Sequence, residues 1–170
     1  MIRNNINQYA VKGIVKIAPA TNHLIQSITH KQTGDLIVYT NKIYLSKSKS
    51  NGFVVFVRNH MIGDGKKVRR MIIITPSASG CNKLKEVIEE QGFDNISVYL
   101  TKISTTNYVV EKKNVLYGVE NFIEHSNYNC PSFTITDDNC RRAFIIYTRE
   151  LLLESTPVIK HAFDRELIYY

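Results

Sequence analysis

Between Arg70 and Thr101 the chain reads as strand, helix, strand. Met71–Thr75 is an unbroken apolar run of the kind that forms a buried strand. Pro76-Ser77-Ala78-Ser79-Gly80 supplies turn residues, with Ser79 as the expected helix cap. Cys81–Gln91 follows with Leu84, Val87, Ile88 and Gln91 on one helical face. Gly92 stands where a left-handed C-terminal cap belongs. Ile96–Leu100 is a second strand. Two strands joined by so short a helix pair in parallel through a right-handed crossover. That unit commits the chain to an α/β (α+β) architecture.

Tyr108–Val110 and Val115–Val119 add an expected hairpin around Glu111-Lys112-Lys113-Asn114. Asp137 or Asp138 can cap a helix running to about Leu153, with Phe144, Tyr147 and Leu151 as its stripe and Thr156-Pro157 as its stop. Before Arg70 the pattern reads as β-rich. Leu24–Thr29 and Leu36–Thr40 flank the hairpin residues Lys31–Asp35, Ile43–Leu45 continues the sheet, and Phe53–Val57 is expected as an apolar strand. Gly63-Asp64-Gly65-Lys66-Lys67 is a flexible basic connector. It divides a β-rich basic region, 1–66, from a mixed α/β region, 67–170, that carries the crossover helix and a C-terminal helix.

Charge divides the chain at nearly the same place. Residues 1–70 carry twelve Lys/Arg against Asp35 and Asp64, a net of +10, while residues 71–170 carry ten against thirteen Asp/Glu, a net of −3. A basic half needs anions near it, and the commonest large anion in a cell is nucleic acid. Cys81, Cys130 and Cys140 form no Cys-x-x-Cys pair, so neither a disulfide framework nor a structural zinc site is expected. No apolar run is long enough to span a bilayer, and Asn, Gln and Lys interrupt Met1–Ala18, so no secretory signal is expected there. An intracellular, cytoplasmic location is expected. Fifteen Asn and ten Tyr with no Trp point to an A+T-rich coding genome, as in a virus, phage or plasmid. A viral protein of this kind can instead be packaged in the virion.

The chemical motifs are sparse. The loop Thr75–Gly80 has one Gly and no Lys in register, so a helix cap is expected there ahead of a phosphate loop. Asp94, followed by Glu111 and Lys113, matches the spacing of the PD-(D/E)xK nucleases. In that chemistry the two carboxylates hold a divalent metal and the Lys polarises the attacking water. The competing reading makes Glu111–Asn114 a solvated hairpin tip. His30, His125 and His161 have no evident triad partners. Lys66, Lys67, Arg69 and Arg70 form a compact basic cluster suited to a phosphate backbone, although charge runs are more often solvated loops.

From Arg70 onward the order of features resembles the small shared subunit of eukaryotic-type RNA polymerases, a family with counterparts in archaea and in large DNA viruses. The matching residues are Ile72-Ile73-Ile74-Thr75-Pro76-Ser77-Ala78, Phe122-Ile123-Glu124-His125, Pro131, Thr136-Asp137-Asp138, Thr156-Pro157-Val158-Ile159, Asp164 and Tyr169-Tyr170. The stretch Ser104–Asn121 is longer than the family's, Arg165 replaces a Pro, and the family's closing hairpin after the tyrosines is missing. The resemblance implies a restriction-endonuclease-like core without catalysis, lying near downstream DNA. It also implies a tail that docks on the largest subunit of the polymerase through Pro157, Ile159, Phe163, Asp164, Tyr169 and Tyr170.

The expectation is therefore a non-catalytic RNA polymerase subunit that touches DNA by non-specific backbone contact. No metal, no cofactor, no small-molecule ligand and no membrane are expected. A metal-dependent nuclease and a stand-alone nucleic-acid-binding host-takeover protein are the alternatives. Thr156–Tyr170, rich in apolar residues, is expected to fill a groove on the partner.

Overall fold

All five residues of Met71–Thr75 are buried, so both faces of this strand are covered. The computed structural model describes residues 17–19, 34–43, 45, 52–62, 69–111, 114–118, 133–135 and 137–168, and it shows what covers them. Among the described residues eight strands form one mixed sheet: β1 (Ile17–Pro19), β2 (Leu36–Tyr39), β3 (Met71–Thr75), β4 (Ile96–Leu100), β5 (Tyr108–Glu111), β6 (Asn114–Tyr117), β7 (Phe133–Ile135) and β8 (Thr156–Ile159). Their order across the sheet is β1-β7-β6-β5-β2-β3-β4-β8. The central strands β2, β3 and β4 are parallel, and the remaining pairings are antiparallel.

Alternate residues of the central strands feed two cores. Leu36, Val38, Met71, Ile73, Ile96 and Val98 meet α1 (Gly52–His60) and α2 (Ala78–Gln91). Ile37, Tyr39, Ile72, Ile74 and Tyr99 meet α3 (Asp138–Glu154) and α4 (Asp164–Ile168) on the opposite face. The result is a three-layer α/β/α arrangement, in agreement with the α/β expectation. The crossover unit β3–α2–β4 joins neighbouring parallel strands as expected. Helix α2 begins one turn earlier than its periodicity indicates. Ser77 rather than Ser79 caps it, accepting from the Gly80 N–H at 3.0 Å, and Gly92 closes it at φ 70°. Asp137 caps α3 through the Asn139 N–H at 2.9 Å.

Further expectations change. Neither Ile43 nor Leu45, expected to continue the sheet, is in a strand, and both pack into the core beside α1 and α2. Phe53–Val57 is not a strand but lies within α1, where Phe53, Phe56 and Val57 turn inward and Met61 completes the same stripe. Leu36–Thr40 does not begin a hairpin with the preceding segment, because β3 and β5 occupy both edges of β2. Leu24–Thr29 itself lies outside the described residues, as does the connector Gly63–Lys67. Strands from both sides of that connector share the one sheet. Finally, the tail covers its own chain. Strand β8 pairs with β4, and Leu167 and Asp164 of α4 are buried.

Candidate functional site

Polar side chains gather at the end of the sheet where β2, β3 and β4 begin and β5 ends. Arg69 precedes β3 and is only 2% exposed. Its Nη2 donates to Glu111 Oε2 at 3.0 Å, and its Nε donates to the Gly34 carbonyl. Burial pulls the Arg69 guanidinium below its usual range, while the charges of Glu111 and Asp35 hold it up. The space at Gly34 favours a residue with no Cβ. A Cβ on it would lie 2.7 Å from Glu111 Cγ. Arg70 is the second anchor. Its backbone N–H and Nε donate to Asp35 Oδ1 at 3.1 and 3.2 Å, its Nη2 to Asp35 Oδ2 at 2.6 Å, and its Nη1 to Glu166. The guanidinium also lies 5.5 Å from the Phe163 ring centroid. Hydrogen bonds to Asp35 and Glu166 raise its already high pKa. Arg70 thus ties β2 and β3 to α4.

These contacts reassign two members of the expected basic cluster. Burial removes the Arg69 side chain from any external phosphate, and Arg70 is engaged by two carboxylates. Lys66 and Lys67 lie outside the described residues.

The nuclease spacing does not assemble. Asp94 precedes β4 and Glu111 ends β5, with β2 and β3 between those strands. Three strand spacings amount to about 14 Å, several times the separation of two ligands on one ion. Glu111 is buried against Arg69 rather than solvated at a hairpin tip. Lys113 lies outside the described residues. Among the described residues no group of three or more His, Cys, Asp or Glu is placed to hold a metal, and no helix is long and apolar enough to cross a membrane.

The tail contains a second polar centre. Asp164 is 3% exposed and accepts from Ser97 Oγ and Tyr99 Oη, each at 2.6 Å, and from the His161 N–H at 3.3 Å. His161 Nδ1 lies 3.0 Å from Ser97 Oγ, and its ring stacks on Phe163 at 4.9 Å. This Ser, His and Asp are not arranged as a nucleophilic triad. The Ser97 proton goes to Asp164, so its oxygen accepts from His161, and Ser97 is fully buried. The group is a brace that fastens α4 to β4. Sequence spacing could not reveal it, because Ser97 and Asp164 are 67 residues apart.

Beside that brace, α3, β8 and α4 enclose an open cleft of about 820 Å³. Pro157 and Asp164, both expected to dock a partner, line it, but so do Arg149, Lys160, His161 and Arg165, which the sequence did not mark as a site. Ile159 lies on the outermost strand, Phe163 packs under Arg70, and Tyr169 and Tyr170 fall outside the described residues.

No family model matches the sequence, and no curated protein matches it. Among solved structures, the chain is similar to TrmBL2, described as an archaeal chromatin protein that shows a novel mode of DNA binding. The TM-score is 0.50 at 9% sequence identity, over 85% of this chain and 54% of that one. The likeness is one of fold, and the chain spans about half the length of that protein.

Proposed function

We propose that this chain is a non-catalytic protein that binds DNA through its phosphate backbone, without reading sequence. The observation that carries this reading is the positive excess of residues 1–70, which the internal pairs of Arg69 and Arg70 reduce only slightly. Arg69, Arg70 and Asp35 are committed to internal pairs. Removing them from residues 1–70 leaves ten Lys/Arg against Asp64 alone, a net of +9. Nothing in the folding of the two arginines consumes that excess, and phosphate backbones are its natural counterpart. TrmBL2, whose fold this chain shares, is described as a DNA-binding chromatin protein, which supports the same class.

Fluorescence anisotropy with two duplexes of unrelated sequence tests the reading. Equal affinities for both, weakened together by Lys66→Gln with Lys67→Gln, are expected. A strong preference for one duplex, or no binding to either, contradicts it.

The finer form of the proposal is a subunit of a multisubunit RNA polymerase. It rests on the resemblance of Ile72–Ala78 and Thr156–Ile159 to the small shared subunit. Affinity purification of the tagged chain from its native cell decides that point. Recovery of the largest polymerase subunit supports it, and recovery of DNA without polymerase leaves the stand-alone DNA-binding protein. The nuclease reading is weaker, because Glu111 faces Arg69 and Asp94 is three strands away.

A further inference from the structure

The cleft between α3, β8 and α4 has the dimensions of a small-molecule site and an unusual lining. Its 820 Å³ falls within the range of about 300–1,000 Å³ typical of such sites. The Tyr99 ring, Leu152, Pro157 and Ile168 give it apolar walls. Arg149, Lys160 and Arg165 add positive charge, with His161 beside them. Asp164 is the one carboxylate among the described lining residues, and both of its oxygens are already engaged, by Ser97 on one side and by Tyr99 and the His161 N–H on the other. Among the described residues the lining therefore carries the basic side chains Arg149, Lys160 and Arg165 and one internally bonded carboxylate.

Two of the cations stand at the mouth. Lys160 and Arg165 are exposed, and among the described residues no carboxylate lies within ion-pair distance of either. Arg149 is partly buried, and its Nε donates to the Ile168 carbonyl, which fixes the guanidinium between α3 and α4. A rigid apolar floor with cations at its rim recognises a molecule with an apolar body and an anionic head.

We propose that this cleft binds a small amphipathic anion, an organic carboxylate or phosphate monoester with an aryl or short alkyl body. The apolar body lies against Tyr99, Leu152 and Ile168, and the head meets Lys160 and Arg165. The site is separate from the basic excess of residues 1–70 and does not depend on the DNA-binding reading. It also departs from the expectation that no small-molecule ligand is bound.

Thermal unfolding of the full chain in the presence of named probes tests the proposal. Octanoate and phenyl phosphate represent the two head groups, 1-octanol removes the charge, and inorganic phosphate removes the apolar body. At a hundredfold excess over its dissociation constant, a ligand confined to the folded state should raise Tm by roughly 5 °C. Octanoate, phenyl phosphate or both should give a saturable rise, while 1-octanol and inorganic phosphate should give little. Lys160→Glu with Arg165→Glu should abolish the rise, and Ala162→Trp, which fills the mouth from an exposed position, should do the same. Both changes lie on the surface, so the unliganded Tm reports whether the variant is folded. A response to inorganic phosphate equal to that of the organic anions overturns the proposal, as does a rise that persists in both variants. No rise with either organic anion at millimolar concentration overturns it as well. A rise that short duplex DNA produces and the double variant loses would reassign the cleft to nucleic acid.

Discussion

Arg69 shows how one residue can look functional in sequence and prove structural in space. It sits in a run of basic residues, yet its side chain is buried against Glu111 and the Gly34 carbonyl. The partner lies 42 residues away, so local charge pattern could not disclose the pairing. Removing one member of a buried pair strands the other charge, which costs about 3–5 kcal/mol. Arg69→Met or Glu111→Leu alone should therefore lower the urea midpoint sharply, and the double variant should recover much of the loss. Equal destabilisation by the single and double variants would show that the pair itself is not the cause. Gly34→Ala should resemble Glu111→Leu, because the added methyl displaces the Glu111 side chain.

Buried titratable groups carry a prediction of the same scale. Loss of water pushes the Tyr39 hydroxyl from 10.0 up to about 12 and the Cys81 thiol from 9.0 up to about 11. Both hold their protons more tightly folded than unfolded. The stability they contribute is complete below the unfolded values, declines as pH rises above them, and is lost through the folded values. The urea midpoint should thus be lower at about pH 11 than at about pH 8. An unchanged midpoint would contradict the burial of these groups.

Among the elements, those with local signals were legible and those defined by distant partners were not. The unit β3–α2–β4 could be read because Ile-rich runs, a helical stripe and a capping Gly lie within thirty residues. The hairpin β5–β6 and the helix α3 were legible for the same reason. Helix α1 was not, because Phe53-Val54-Val55-Phe56-Val57 favours strand by propensity and its helical period emerges only when Met61 is included. Val55 distinguishes the two states. It is 42% exposed on α1, so Val55→Lys should cost less than about 0.5 kcal/mol, whereas on a buried strand it would unfold the chain. A chemical denaturation curve of that variant decides between them.

The tail misled for a different reason. Its apolar richness is real, but the surface that takes it belongs to β4 and α3 of the same chain. Deleting Phe163–Tyr170 uncovers Tyr99, removes Leu167 from the core and leaves Ser97 without Asp164. Loss of one such core side chain costs about 2–5 kcal/mol. Thermal melting should show the truncated chain destabilised by roughly 10 °C or more. A truncated chain with the Tm of the full one would instead return the tail to the role of a partner-docking segment.

Across the whole molecule, charge committed to the internal pairs of Arg69 and Arg70 is distinct from the positive excess of residues 1–70. The asymmetry itself was plain in composition. Which cations belong to which class was not, because only the sheet brings Arg69 to Glu111 and Arg70 to Asp35 and Glu166. The central claim is that the excess of residues 1–70 meets DNA phosphates. Its most direct test is the salt dependence of binding by the full chain. The slope of log K against log salt concentration is about −0.9 for each phosphate neutralised on duplex DNA. A slope of about −3 or steeper is expected, the same for unrelated sequences. It should flatten when Lys66 and Lys67 are changed to Gln, and should not flatten when Lys83 and Lys85 of the acidic half are changed instead. A slope near zero, or one that responds to Lys83 and Lys85 but not to Lys66 and Lys67, would contradict the claim.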